Sequence, residues 1–189
     1  MISTTQNAKT IQNAKLVRLV EYLDSLTDRA PLAALEQKLT SLDINLSDVR
    51  EFVQFNEVSY RRNLVVSGDW YHLLVLCWRS GQRSPIHDHA QSTCGLKVLS
   101  GVATETKFAP TPSGLIKAVS SSDAHSGEVC VSQDSDMHQV SNLQVKGNDL
   151  VTLHIYSPPL LKMRTYSLTD STVGVYVPEI IEHVHGSGI

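Results

Sequence analysis

The chain has 189 residues, 41% of them hydrophobic, with a formal net charge of −3 and a pI near 6.2. That length suits one domain able to bury a core without disulfides or a structural metal, so a bound metal would serve function. The 16 Lys and Arg are scattered without the dense runs of a nucleic-acid footprint, which excludes nucleic acid as an expected partner.

Three cysteines, Cys77, Cys94 and Cys130, fit neither a disulfide framework nor a CxxC zinc spacing. A reducing, cytoplasmic setting is expected. Residues 1–15 are polar and lack the apolar core of a secretory signal, and no run approaches the ~18 apolar residues of a membrane span. No membrane association is expected, and the chain is expected to be a monomer. Lys9, Lys15 and Arg18, with no acid in that stretch, leave an organelle transit signal as the lesser alternative.

In chain order, Ile11, Leu16, Leu19, Val20, Leu23 and Leu26 recur at helical spacing. Pro31 reads as a first-turn proline opening a second helix through Leu39, and Ser47 as the cap of a third over residues 48–55. From about Asn63 the pattern changes to short runs rich in Val, Leu, Thr and aromatics, at 71–78, 95–99, 127–132, 150–156 and 172–177. Residues 109–113 and the serine run near Ser120 read as loops. Many short strands after a helical lead imply a mainly β antiparallel barrel with N-terminal helices packed against it. Residues 1–58 form the helical segment of the same domain whose barrel spans 59–189.

Residues 81–89 end in His87-Asp88-His89. On an extended backbone both histidines point to one face and Asp88 to the other, with the two Cα atoms roughly 6.5 Å apart, so both imidazoles can reach one ion. His138, after the strand predicted over 127–132, is the candidate third ligand. These positions resemble the cupin superfamily: Gly81, His87, His89 and Gly101 match its first motif, and Gly127, His138 and Asn142 its second, with Gln133 and Ser135 in place of Pro and Gly. Cys94 stands where that motif has its Glu ligand. Three neutral imidazoles leave a divalent ion its full +2 charge and favour an anionic donor from the substrate, such as a thiolate. A second His-x-His, His183 and His185, lacks such a frame and reads as surface tail.

In residues 151–156 the alternation separates Val151, Leu153 and Ile155 from Thr152, His154 and Tyr156. The first set reads as core. The second can form a Thr–His–Tyr hydrogen-bond chain facing the barrel lumen, which would fix the histidine tautomer and aim the phenol.

The segments HDHxxxxCxLKxLxG (87–101), YRRNLV (60–65), LCW (76–78), HQVSN (138–142) and TLHIYSPP (152–159) together closely resemble the cysteine dioxygenase family. The resemblance implies a cupin (jelly-roll) barrel, Fe(2+) held by His87, His89 and His138, and conversion of L-cysteine and O2 to L-cysteine sulfinate. It also implies that Arg62, rather than Arg61, binds the substrate carboxylate, that Tyr60 is a lesser substrate contact, and that Tyr156 is the active-site phenol supported by His154. In animal-type members the Cys at the position of Cys94 forms a thioether with that Tyr. The relay's first residue is Ser in the family and Thr152 here, and Ser157-Pro158 resembles the family's cis bond. Trp78 and Cys77 are expected to serve packing, while Cys130 and His125 have no expected role. The alternatives are a dioxygenase for 3-mercaptopropionate or another small thiol, and a non-catalytic metal-dependent binding or sensor module.

Overall fold

The computed structural model describes residues 11, 13–134 and 136–182. The His183/His185 pair and Ser135 lie outside the described residues. Helix α1 spans Ala14–Asp24, where the Asn13 side chain accepts from the Lys15 and Leu16 amides and so satisfies two otherwise unpaired donors. Helix α2, Leu32–Ser41, starts behind Pro31, which is its extended N-cap residue. The third helix differs from expectation: it is a 3-10 helix over Leu46–Phe52, and Asn45, not Ser47, caps it. Asn45 and Asp48 bond each other's backbone N–H groups in a capping box, and Ser47 only donates to Asn45.

Eleven strands follow among the described residues: β1 Arg61–Gly68, β2 Tyr71–Trp78, β3 Thr93–Ser100, β4 Val102–Pro110, β5 Ile116–His125, β6 Val129–Gln133, β7 Met137–Ser141, β8 Leu150–Ser157, β9 Met163–Tyr166, β10 Val173–Tyr176 and β11 Ile181–Glu182. They form a six-stranded sheet, β11-β1-β2-β8-β3-β6, a three-stranded sheet, β5-β4-β7, and the β9–β10 pair. The serine run near Ser120 lies within β5, not a loop. As the edge of its sheet, β5 exposes nearly all its side chains to water, so no apolar alternation betrays it. The predicted strand over 127–132 begins later, at Val129, because Gly127 turns at φ +93°.

The large sheet separates two apolar clusters. On its outer face Leu73, Val75, Cys77, Val151, Leu153 and Ile155 pack with Leu16, Leu23, Leu35 and Leu39 of the helices. On its inner face Leu74, Leu76, Trp78, Cys94, Leu96, Val98 and Tyr156 meet Ala103 and Val140 of the smaller sheet. Gly95 leaves α2 room to pack on β3: a Cβ there would lie 2.5 Å from a Leu39 methyl. Lys97, also on the outer face of β3, donates its ammonium to the Leu39 carbonyl at 2.9 Å, satisfying an acceptor at the end of α2. Arg29, between the two helices, donates to Thr93 and Asp134 and pins that loop to the barrel. No described helix is long and apolar enough to cross a membrane.

Leu35 is fully buried between α2 and the sheet. Leu35→Ala is expected to cost about 2–5 kcal/mol in urea unfolding, whereas Leu161→Ala, at an exposed position, should stay within ~0.5 kcal/mol.

Candidate metal centre

Backbone pairing brings the histidines together. His87 N–H donates to the His138 carbonyl and His138 N–H to the His87 carbonyl, both at 2.9 Å, so the segment before β3 is stitched to β7. His89 follows two residues on. One nitrogen from each of His87, His89 and His138 lies within 4.8 Å of the others, and all three side chains are buried. The His89 and His138 Nε2 atoms are 3.1 Å apart.

The outer ring nitrogens decide what the inner ones can do. His87 Nδ1 is 2.9 Å from the Pro85 carbonyl, and His138 Nδ1 is 2.6 Å from Glu105 Oε1. Both partners only accept, so each Nδ1 carries the proton and each Nε2 presents a bare lone pair. His89 Nδ1 faces the Ser132 hydroxyl at 3.4 Å. Burial, reinforced by the other imidazoles, pushes His87 down to about 3 and His89 well below its ordinary range. Convergent imidazoles with their outer nitrogens held by oxygen fit a divalent transition metal. Glu105 stays ionised although burial opposes its charge, because the hydrogen bond from His138 lowers its carboxyl.

Asp88 points away from the cluster and is fully buried. Its carboxylate accepts from Arg164 Nε at 2.6 Å and Tyr166 OH at 2.7 Å, while Asp88 N–H donates to the Arg164 carbonyl. Strand β9 thus clamps the histidine segment from behind.

His87 and His138 line a cavity that also includes Arg62, Cys94, His154 and Tyr156, and His89 completes the cluster beside it. Arg62 is buried; its Nη1 is 3.5 Å from Tyr156 OH and its guanidinium lies 5.0 Å from the centroid of that ring. Its Nε and Nη2 have no hydrogen-bond partner among the described residues. Burial opposes its charge, but the hydroxyls of Tyr156 and Tyr60 favour it and hold the group protonated. Arg61 turns elsewhere, to Asn63 Oδ1. Tyr60 stacks on Trp78 with ring centroids 4.1 Å apart and planes 10° from parallel.

On β8, Thr152, His154 and Tyr156 face the interior in sequence: Thr152 Oγ1 is 2.9 Å from His154 Nε2, and His154 Nδ1 is 3.2 Å from Tyr156 OH. Cys94 lies opposite Tyr156 in the β3–β8 register. Burial, partly offset by Arg62, pushes the Cys94 thiol up to about 12 and raises the Tyr156 phenol above its ordinary value. The Ser157–Pro158 peptide is cis. Cys77 packs in the outer cluster as expected, but Trp78 does more than pack, because its indole N–H donates to Thr152 Oγ1 at 3.1 Å. Cys130 lines the cavity and His125 is exposed on β5.

The family model for cysteine dioxygenase type I matches residues 1–169. The chain belongs to the cysteine dioxygenase type I family. Cysteine dioxygenase type 1 of Danio rerio is 34% identical over 146 residues, 74% of this chain and 72% of that one. The Homo sapiens protein of the same name is 30% identical over 150 residues, 77% and 74% of the two chains. Among solved structures, a Thermus thermophilus protein superposes with a TM-score of 0.50 at 14% identity, covering 61% of this chain and 98% of that one. A Klebsiella pneumoniae protein described as having a double-stranded β-helix domain also gives 0.50, at 15% identity over 68% and 87%. These two likenesses show the fold, which is the cupin fold. The family is one of oxygenase enzymes.

Glu105, Ser132, Arg164 and Tyr166 surround the histidine cluster and were not singled out from sequence, and Asp88 was read only as facing away from it. Glu105 sits on an ordinary alternating strand, and only the β4–β7 pairing carries it to His138. Glu105→Gln, which removes the charge behind His138, is expected to weaken Co(II) binding about 10–100-fold in a competition titration, and His138→Ala to abolish stoichiometric binding.

Proposed function

We propose that this chain is a mononuclear non-haem Fe(II) thiol dioxygenase that converts L-cysteine and O2 to L-cysteine sulfinate. One observation carries the reading: a buried guanidinium with two unpaired nitrogens shares a cavity with His87 and His138, which together with His89 form a three-histidine group with no carboxylate ligand in it. The family membership supports the same reading.

His87, His89 and His138 would hold the iron. Bound ferrous iron would supply Lewis acidity that makes the thiol a thiolate and the redox capacity to bring O2 to sulfur, both oxygen atoms ending in the sulfinate. Everything else falls to the chain. Arg62 binds the substrate carboxylate in a charge-assisted pair that fills Nε and Nη2, which otherwise lie buried without partners. Tyr60, braced by Trp78, forms the wall beside it. Leu76, Leu96 and Val140 exclude water, so each polar contact acts in a low dielectric. Tyr156, kept protonated by burial, is the hydrogen-bond donor aimed by His154 and Thr152. The reading includes a cytoplasmic monomer, in keeping with three free cysteines.

Cys94 and Tyr156 are cross-strand partners in the cavity wall, and the reading includes a thioether between Cys94 Sγ and the ring carbon next to the Tyr156 hydroxyl. Forming it releases the S–H and C–H hydrogens with two electrons, which O2 accepts.

Oxygen uptake by iron-loaded protein should be fastest with L-cysteine, slower with 3-mercaptopropionate and poor with cysteamine, which lacks the carboxylate. Faster uptake with 3-mercaptopropionate would reassign the substrate, and a zinc-only protein consuming no oxygen with any thiol would replace the reading with a ligand-binding module. Arg62→Ala should raise KM for cysteine about 10–100-fold, the loss of ~1.5–3 kcal/mol from a charged hydrogen bond, and leave cysteamine nearly unaffected. After turnover, intact-mass measurement should show a fraction lighter by two hydrogens, absent in Cys94→Ala; an unchanged mass would remove the thioether from the reading.

A further inference from the structure

The Thr152–His154–Tyr156 chain could run in either direction, since each hydroxyl and each imidazole nitrogen can donate or accept. Its direction matters. If His154 carries its proton on Nδ1, it donates to Tyr156 and the phenol keeps its own proton free for the cavity. With the proton on Nε2, Nδ1 becomes an acceptor and draws the phenol proton toward itself.

Trp78 breaks the symmetry. An indole N–H only donates, and this one points at Thr152 Oγ1, 3.1 Å away. Thr152 therefore accepts from Trp78. Among the described residues its hydroxyl has one other hydrogen-bond neighbour, His154 Nε2 at 2.9 Å. Donating there satisfies the buried Thr152 hydroxyl, whereas accepting a second N–H would leave its proton without an acceptor in a fully buried place. Thr152 is also β-branched, which stiffens χ1 and restricts where the hydroxyl can turn. At the far end Tyr156 OH receives His154 Nδ1, and Arg62 Nη1 approaches at 3.5 Å. Both neighbours donate in this arrangement, so the phenol's single proton is left to point into the cavity.

Resting on the dioxygenase reading, we propose that Trp78 is a positioning residue: by donating to Thr152 it fixes His154 as the Nδ1–H tautomer and so makes Tyr156 a donor toward bound substrate. The near-parallel stack with Tyr60 holds the indole plane that aims this N–H. The substrate wall and the proton chain thus share one side chain.

The test reads the tautomer directly. In zinc-loaded full-length protein carrying 15N-labelled histidine, without thiol, His154 should show a protonated Nδ1 and a bare Nε2. Trp78→Phe keeps an aromatic ring beside Tyr60 but loses the pyrrole half of the indole with its N–H; its His154 should shift toward the Nε2–H form. Iron-loaded Trp78→Phe should lose about 10-fold or more in kcat, as expected for a misdirected proton donor, with KM for cysteine within about 2-fold because Arg62 is untouched. An Nε2–H His154 in the wild-type protein overturns the proposal, as does a Trp78→Phe tautomer identical to wild type. The wild-type spectrum decides the direction even if the variant does not fold. It also needs no turnover, so the outcome is separable from failure of the dioxygenase reading.

Discussion

Two backbone hydrogen bonds between His87 and His138 hold the site together. They join a segment that enters β3 to a strand of the opposite sheet, and they do so at the residues whose side chains must meet. A pair of antiparallel residues exchanging both bonds fixes the spacing of their Cα atoms far better than side-chain contacts could. His89 needs no such tie, because the two-residue period of extended chain returns it to the same face. The ring orientations are then set from outside by Pro85, Glu105 and Ser132.

Strand β8 carries the second constraint. Val151, Leu153 and Ile155 complete the cluster under the helices, while His154 and Tyr156 line the cavity on the opposite face. Because both faces are buried, a slip of one residue would place Val151, Leu153 and Ile155 in the cavity and the polar triplet under apolar helices. Pairing with β2 on one side and β3 on the other makes that slip costly, and the same pairing sets Cys94 opposite Tyr156. The residues that hold the helices and those that face the cavity therefore cannot be altered independently.

What was legible in the sequence was whatever obeys a short period. The helix spacing around Leu16 to Leu23, the run 71–78 and the alternation of 151–156 all match observed elements, and the spacing of His87 and His89 implied a shared face. What was hidden depends on distance along the chain. Glu105 approaches His138 only through sheet pairing, and Arg164 and Tyr166 meet Asp88 across more than seventy residues. Strand β5 was hidden because an edge in water needs no apolar face. The third helix showed a serine that can cap, yet the nearby Asn45 and Asp48 satisfy each other's backbone and take its place. Trp78 looked like core from its neighbours, and only the position of Thr152 reveals a use for its N–H.

The clamp on Asp88 bears on how the molecule comes into being during synthesis. A carboxylate with no exposure needs donors, and both side chains that supply them emerge from the ribosome after every histidine of the cluster. A nascent chain ending before residue 164 holds all three imidazoles and the Ala90 N–H that bonds Asp88, but lacks the guanidinium that faces this carboxylate. Until β9 is translated that carboxylate can only face water, so the histidine seat is not enclosed from behind before then. Closure of the centre is in that sense a late event, tied to translation of β9 and not of the histidines themselves.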